Sequence, residues 1–282
     1  MKIGIVGHLG VVGTALAEGF KDTHEIVGYD MKEFIPNIAP LFDTEVIFVC
    51  VPTPTVNGQQ KLDALDFTFQ NFQGGSGGKQ YTGVCVIKSS ILPGTTEMLS
   101  AKYPALRIIN NPEFLTARTA NEDFRLQSMI FLGSTHLTNM DVVNRVYWKA
   151  GYRNVVYLKP KEAEMLKYMH NIFFASKISI LNEMYEICQD IGVNYEKCIK
   201  NVGLATGWLN MKHTMVPGPD GQRGFGGACF PKDFEAFMCW TQDLNLPTLK
   251  AAYESNEARR ATCQKDTTND KHESQEGQPN NL

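Results

Sequence analysis

The sequence predicts an α/β fold, a doubly wound parallel sheet followed by an all-helical region, and three observations carry that expectation. Short runs rich in Val and Ile alternate with helical stretches through the first half of the chain. A glycine-rich turn joins the first run to the first helix. From about Pro160 the apolar residues recur at three and four positions and continue almost to Gly192, a natural helix stop. With 282 residues the chain is long enough for a proper core and one to two domains. At 43% hydrophobic, 20% charged and a formal net charge of -3, it is neither collagen-like nor wholly disordered, and it has no basic excess pointing to nucleic acid.

The expected strands are Lys2–Val6, Glu25–Asp30, Val46–Val51, Val84–Lys88, Arg107–Asn110, Ser128–Leu132 and Asn154–Tyr157. They lack polar alternation, as strands covered on both faces do. The longest apolar runs, such as Val46–Val51, fall far short of the roughly 20 residues a membrane span needs, so no membrane partner is expected. Gly74-Gly75-Ser76-Gly77-Gly78 reads as a mobile loop between a helix and a strand. The expected organisation is 1–158 for the sheet domain, 159–263 for the helical domain and 264–282 for a flexible polar tail. Within the helical domain the long helix is followed by a second helical region, a loop at Gly218–Gly227, a helix from Pro231 and another from Pro247 to about Thr262.

The first turn, Gly7-His8-Leu9-Gly10-Val11-Val12-Gly13, follows a strand and opens a helix. Bare backbone there lets a pyrophosphate reach the helix N-terminal amides. Asp30, 23 residues after Gly7, stands where a carboxylate accepts hydrogen bonds from an adenosine ribose and repels a 2′-phosphate. The combination predicts a Rossmann-type dinucleotide site that prefers NAD, with Gly7, Gly10, Val11, Val12, Gly13 and Asp30 as cofactor-binding residues. His8 reads as a solvent-facing turn residue.

Seven scattered cysteines without paired metal-type spacing suggest free thiols in a reducing compartment and no metal site. The N-terminus opens directly into a strand, without the pattern of a secretion signal, so a cytoplasmic protein is expected. Cys229 stands apart. In Gly224-Phe225-Gly226-Gly227-Ala228-Cys229-Phe230-Pro231-Lys232-Asp233, proline two positions after the cysteine suits the first turn of a helix. The helix N-terminus favours the thiolate, and the preceding glycines admit a substrate, which favours a nucleophile over a small buried hydrophobe. The other six cysteines are assigned to structure. The run Met215–Arg223 either holds phosphates through its amides and Arg223 or is a plain turn.

This decapeptide resembles the active-site signature of the UDP-glucose/GDP-mannose dehydrogenase family. Three further segments match in order: Val51-Pro52-Thr53-Pro54-Thr55, Asn111-Pro112-Glu113-Phe114-Leu115 and Ala163–Asn171. The resemblance implies oxidation of the C6 alcohol of a nucleotide sugar to a carboxylate, with two hydrides passed to two NAD. It further implies that Lys167 and Asn171 bracket a developing alkoxide, that Asp233 assists proton removal, and that Cys229 forms a thiohemiacetal and then a thioester. Glu113 is the implied base for hydrolysis. Ser90 takes the place of a threonine that helps hold the water, and with Pro52 and Thr53 it lies on the nicotinamide side. Implied substrate contacts are Glu113, Phe114, Leu115, Lys167, Asn171, Arg223, Phe225, Gly226 and Gly227. A homodimer through the long helix is implied as well.

Four departures stand out. Ala117 replaces a second acid, and Ala205-Thr206-Gly207-Trp208 lacks an arginine that reaches a neighbouring subunit's substrate. Met31–Thr44 is too short for the usual helical insertion, and the family's second α/β domain is expected to be missing. UDP-glucose is the expected substrate. The alternatives are GDP-mannose or a UDP-N-acetylhexosamine, a two-electron 3-hydroxyacid-type dehydrogenase, or a binding module with weakened turnover.

Overall fold

The computed structural model describes residues 1–34, 37–75, 79–207 and 209–273, with side chains as far as Ala261. The chain divides into two compact units, Met1–His170 and Asn171–Leu282. Residues 76–78 of the glycine loop, Trp208 and 274–282 of the expected tail lie outside the described residues.

All seven expected strands of the first unit form. They are β1 (Lys2–Val6), β2 (Glu25–Tyr29), β3 (Val46–Val49), β6 (Val84–Ile87), β7 (Arg107–Asn110), β8 (Ile130–Gly133) and β9 (Val155–Leu158), in one sheet ordered β2-β1-β3-β6-β7-β8-β9. Strand order reverses between β1 and β3, which marks the crevice where ligands of doubly wound sheets bind. Alternate residues face opposite layers. Ile3, Ile5, Val46, Phe48, Val84 and Val86 pack in one core, whereas Val6, Ile47, Val49, Cys85 and Ile87 pack in the other. Two covered faces explain why these strands read as unbroken apolar runs.

The sheet departs from the expected parallel pattern at one place: β7 and β8 pair antiparallel through Asn110 and Gly133, while β8 and β9 run parallel. The connection between β7 and β8 contains only the short α4 (Ala120–Leu126), which packs on α1 (Val11–Phe20). An antiparallel neighbour needs no crossover helix on the sheet face. Helix α5 (Leu137–Lys149) packs in the same core as α1 and α4, whereas α2 (Asp63–Gly74) and α3 (Thr95–Lys102) pack in the other. A small hairpin, β4 (Thr55–Val56) and β5 (Gln59–Gln60), turns at Asn57 and Gly58, whose φ angles are 52° and 73°. Positive φ at both central residues suits the twist of a tight hairpin.

Helix α6 (Pro160–Asp190) ends before Gly192, which adopts φ 70°. In the second unit, Asn194 caps α7 (Tyr195–Thr206) by accepting a hydrogen bond from the Lys197 amide at 2.7 Å. The last helices are α8 (Phe230–Trp240) and α9 (Pro247–Glu273). α9 continues past Thr262 into residues expected to be a flexible tail. No glycine or proline lies between Pro247 and Gly277, so the backbone meets no breaker there. Among the described residues no helix is long and apolar enough to cross a membrane.

The α1–α4 contact is tight. A Cβ on Gly19 would stand 2.2 Å from the Phe124 ring, which meets Phe20 edge-on at 5.3 Å. Gly19→Ala is therefore expected to destabilise the fold by about 1–3 kcal/mol, read as a lower urea midpoint.

Candidate active site

At the end of β1, Gly7 takes φ 79°, and a Cβ there would lie 2.5 Å from the Cys50 carbonyl oxygen at the end of β3. A Cβ on Gly13 would stand 2.2 Å from the Gly7 carbonyl. The turn therefore closes only with glycine at both positions. Gly10 is the N-cap of α1 and supplies no side-chain cap, which leaves first-turn amides for an anion. Asp30, buried at the end of β2, accepts the amides of Leu9 (3.2 Å) and Lys32 (3.0 Å), and these orient its carboxylate. The bare cradle and the oriented acid fit a dinucleotide. His8 is not the solvent-facing residue expected of it. Its ring packs on Gly28 and its Nε2 lies 3.5 Å from Glu33, because Gly28 leaves space for an imidazole.

The segments expected on the nicotinamide side are tied together by side chains. The Thr53 hydroxyl donates to the Ser90 carbonyl at 2.7 Å. Gln60 Nε2 donates to that carbonyl and to the Tyr168 hydroxyl, at 3.1 and 3.0 Å, and Gln60 Oε1 accepts the Leu92 amide. Ser90 enters this network through its carbonyl. Glu164 then fixes the start of α3: its two oxygens accept the amides of Gly94 at 2.6 Å and Thr96 at 2.7 Å. Burial pushes this carboxyl up, against the pull of those amides.

Beside that network sits a buried cluster of charge. Lys167 Nζ donates to Glu113 Oε1 at 2.8 Å, with both side chains at most 10% exposed, and Glu113 Oε2 accepts the Leu115 amide at 2.6 Å. Burial alone would raise the Glu113 carboxyl, but Lys167, the Leu115 amide and Lys88 together hold it below its ordinary range. Lys88, one residue beyond β6, is buried and donates to Asn111 Oδ1, which also accepts the Tyr147 hydroxyl. Its desolvation lowers the ammonium pKa to about 8, partly opposed by Glu113. Phe114 lies beneath the Lys167 ammonium, 5.8 Å from Nζ to the ring centre.

In the second unit Cys229 is exposed and forms the N-cap of α8, with Pro231 in the first turn as its spacing predicts. The Asp233 amide donates to the Cys229 carbonyl at 3.0 Å. The buried Asp233 carboxylate accepts Asn171 Nδ2 at 2.7 Å and pairs with Lys232. The preceding loop is held by residues the sequence reading did not single out. Asn182 accepts the Gly224 amide, Asn256 accepts the Phe225 amide, and Arg260 donates to the Gly224 carbonyl, at 3.0, 2.6 and 2.9 Å. A Cβ on Gly226 would meet the Arg260 guanidinium at 2.5 Å. The Phe225 ring is buried and stacked on Phe234, so a ligand could meet only its backbone. Arg223 pairs with Glu186 at 3.1 Å. Cys85 is buried and Cys50 half-buried, and desolvation pushes the Cys50 thiol up to about 12. Cys198 is exposed on α7.

A dinucleotide-type α/β unit and a helical unit bearing a cysteine-capped helix define a dehydrogenase-like architecture. Two models of one family match the chain: the NAD binding domain of the UDP-glucose/GDP-mannose dehydrogenase family over 36–150 and its central domain over 161–258. The chain belongs to that family. It is 29% identical over 312 residues to the UDP-glucose 6-dehydrogenase AglM of Haloferax volcanii, covering 92% of this chain and 70% of that protein. With the UDP-glucose 6-dehydrogenase of Rickettsia conorii the identity is 30% over 234 residues, covering 78% of this chain and 50% of that one. The chain spans about half the length of most of the curated relatives it matches. A UDP-glucose dehydrogenase structure from Pyrobaculum islandicum superposes with TM-score 0.78 at 26% identity, covering 91% of this chain and 68% of that one.

Lys88 gives a stability test. Between pH 8 and the ordinary lysine range the unfolded chain binds a proton that the folded chain does not, so Lys88 makes stability rise with pH across that window. In Lys88→Met that increment is expected to vanish, and stability at pH 7 is expected to fall because the buried Glu113 carboxylate loses one of its two cations. Urea unfolding of both proteins at pH 7 and pH 10 measures it.

Proposed function

We propose that this chain carries out the NAD-dependent, four-electron oxidation of a nucleotide sugar's C6 alcohol to the carboxylate, with UDP-glucose as the substrate. The observation that carries this reading is the exposed Cys229 at the head of α8 with a buried, hydrogen-bonded Asp233 one turn below. A helix N-terminus stabilises a thiolate, and an aldehyde is the electrophile that a thiolate traps. NAD, held by Gly7, Gly10, Val11, Val12, Gly13 and Asp30 with Pro52, Thr53 and Ser90 on the nicotinamide side, supplies the hydride acceptor in both oxidations.

The roles follow from charge. As the alcohol loses its proton and a hydride, negative charge grows on oxygen, and the Lys167 ammonium with the Asn171 amide stabilises it. Asp233, paired with Lys232, takes part in that proton removal. The aldehyde carbon accepts the Cys229 sulfur to give a thiohemiacetal, and loss of a second hydride leaves a thioester. Water then breaks the carbon–sulfur bond, releasing the carboxylate and the thiol. Glu113, held ionised by its lysines, takes the proton of that water. Ser90 helps hold the water. Phe114, Leu115, Arg223 and the backbone of Phe225, Gly226 and Gly227 are the proposed substrate contacts. One sugar thus consumes two NAD and one water.

The chain is further proposed to act in the cytoplasm as a homodimer through α6. Phe173, Ile180, Met184 and Ile187 on α6, with Ile191 just past its end, recur at helical spacing and are each about half or more exposed, an apolar stripe that a second copy would cover. Sedimentation is expected to show a dimer, and Ile180→Glu with Ile187→Glu to shift it to monomer. In the activity assay two NADH should form per UDP-glucose consumed, and Cys229→Ser should form no acid. Acid formation by Cys229→Ser at the wild-type rate would exclude the thioester route.

A further inference from the structure

A cavity of about 450 Å³ opens beside the glycine turn, and Gly10, Val11 and Thr14 line one side of it. The other side is Ala117, Arg118 and the start of α4. This is the segment in which the expected acid is replaced by Ala117. Position 117 therefore carries no carboxylate, and the next side chain is a cation. Arg118 is exposed, and among the described residues it makes no hydrogen bond and no ion pair. Glu122 also lines the cavity but is not paired with Arg118 within 4.0 Å.

A dinucleotide diphosphate brings two negative charges to the head of α1. The helix contributes partial positive charge and free amides but no full counter-charge. The near side chains of the turn add none: Leu9, Gly10, Val11 and Thr14 are neutral, and the Thr14 hydroxyl is spent on the His8 carbonyl. A planar guanidinium is the group best suited to bridge phosphate oxygens in such a place. We propose that Arg118 is a diphosphate-binding residue of this chain, reaching from the segment before α4 to the NAD diphosphate seated on the glycine turn. The inference rests on the placement of NAD on that turn, proposed above, and is independent of which sugar is oxidised.

Binding can test it without turnover. Calorimetry with ADP-ribose, which carries the diphosphate but no nicotinamide, is compared with ligand-observed NMR of adenosine, which carries neither. Arg118→Ala is expected to weaken ADP-ribose by about fivefold or more and to flatten the salt dependence of its binding. Adenosine affinity should be unchanged, and Arg118→Lys should recover part of the loss. Equal weakening of both ligands, or of neither, would overturn the proposal. Val11→Glu separates the two layers of the inference. Val11 is 51% exposed at the first helical position, where an acid suits the dipole and the fold is retained, while its charge repels a diphosphate. If Val11→Glu loses ADP-ribose and Arg118→Ala does not, the diphosphate sits on the turn and Arg118 is not its ligand. If neither variant loses it, the placement itself falls, and the Arg118 assignment falls with it.

Discussion

A buried carboxylate flanked by two lysines is the constraint around which the first unit is organised. Taking Glu113 out of water costs several kcal/mol, and removing one partner of such a pair typically costs about 3–5 kcal/mol, so the cluster is stable only when complete. Its members come from separate elements. Lys88 follows β6, Glu113 follows β7, and Lys167 stands on α6. The parallel register that sets Ile87 beside Asn110 brings Lys88 against Asn111 one step further on. Sheet register is thereby converted into charge geometry: a slip of one residue would turn Lys88 toward the opposite core layer.

The second unit solves a different problem, that of holding a glycine-rich loop still. Glycines at 224 and 226 admit close neighbours at the cost of chain entropy, and buried amide side chains offset that cost. Asn182 and Asn256 each accept one loop amide, and Arg260 binds the loop carbonyl between them. The loop leads straight into Cys229, so polar groups on α6 and α9 fix where α8 begins. Asp233 is held from α6 and from its own neighbour Lys232.

Much of this was legible in the sequence because the signals are local. Two-sided burial writes itself as Val- and Ile-rich runs, and all seven main strands were readable on that ground. Proline at position 231 marked the head of α8. The Asn57-Gly58 hairpin was equally legible in principle, since asparagine followed by glycine between short polar-apolar stretches is a strong turn signal, yet it went unread beside the prolines at 52 and 54. α9 runs past the end expected of it because a polar composition does not stop a helix where no backbone breaker is present. What could not be read is the set of contacts linking distant positions. Nothing in the neighbourhood of Gln60, Lys88, Glu164 or Asn256 announces a partner tens of residues away, and such partners are chosen by the fold.

Glu164 and Tyr168 show where the first unit ends as a physical object. Both lie on the opening turns of α6, and both reach back, one to the amides that start α3 and the other to Gln60. A module severed at Leu158 would leave two amides without their acceptor and a glutamine without its hydroxyl. Portability therefore belongs to a piece that carries the helix's first three turns, and grafting the sheet alone onto a foreign helical partner would transplant an unfinished edge.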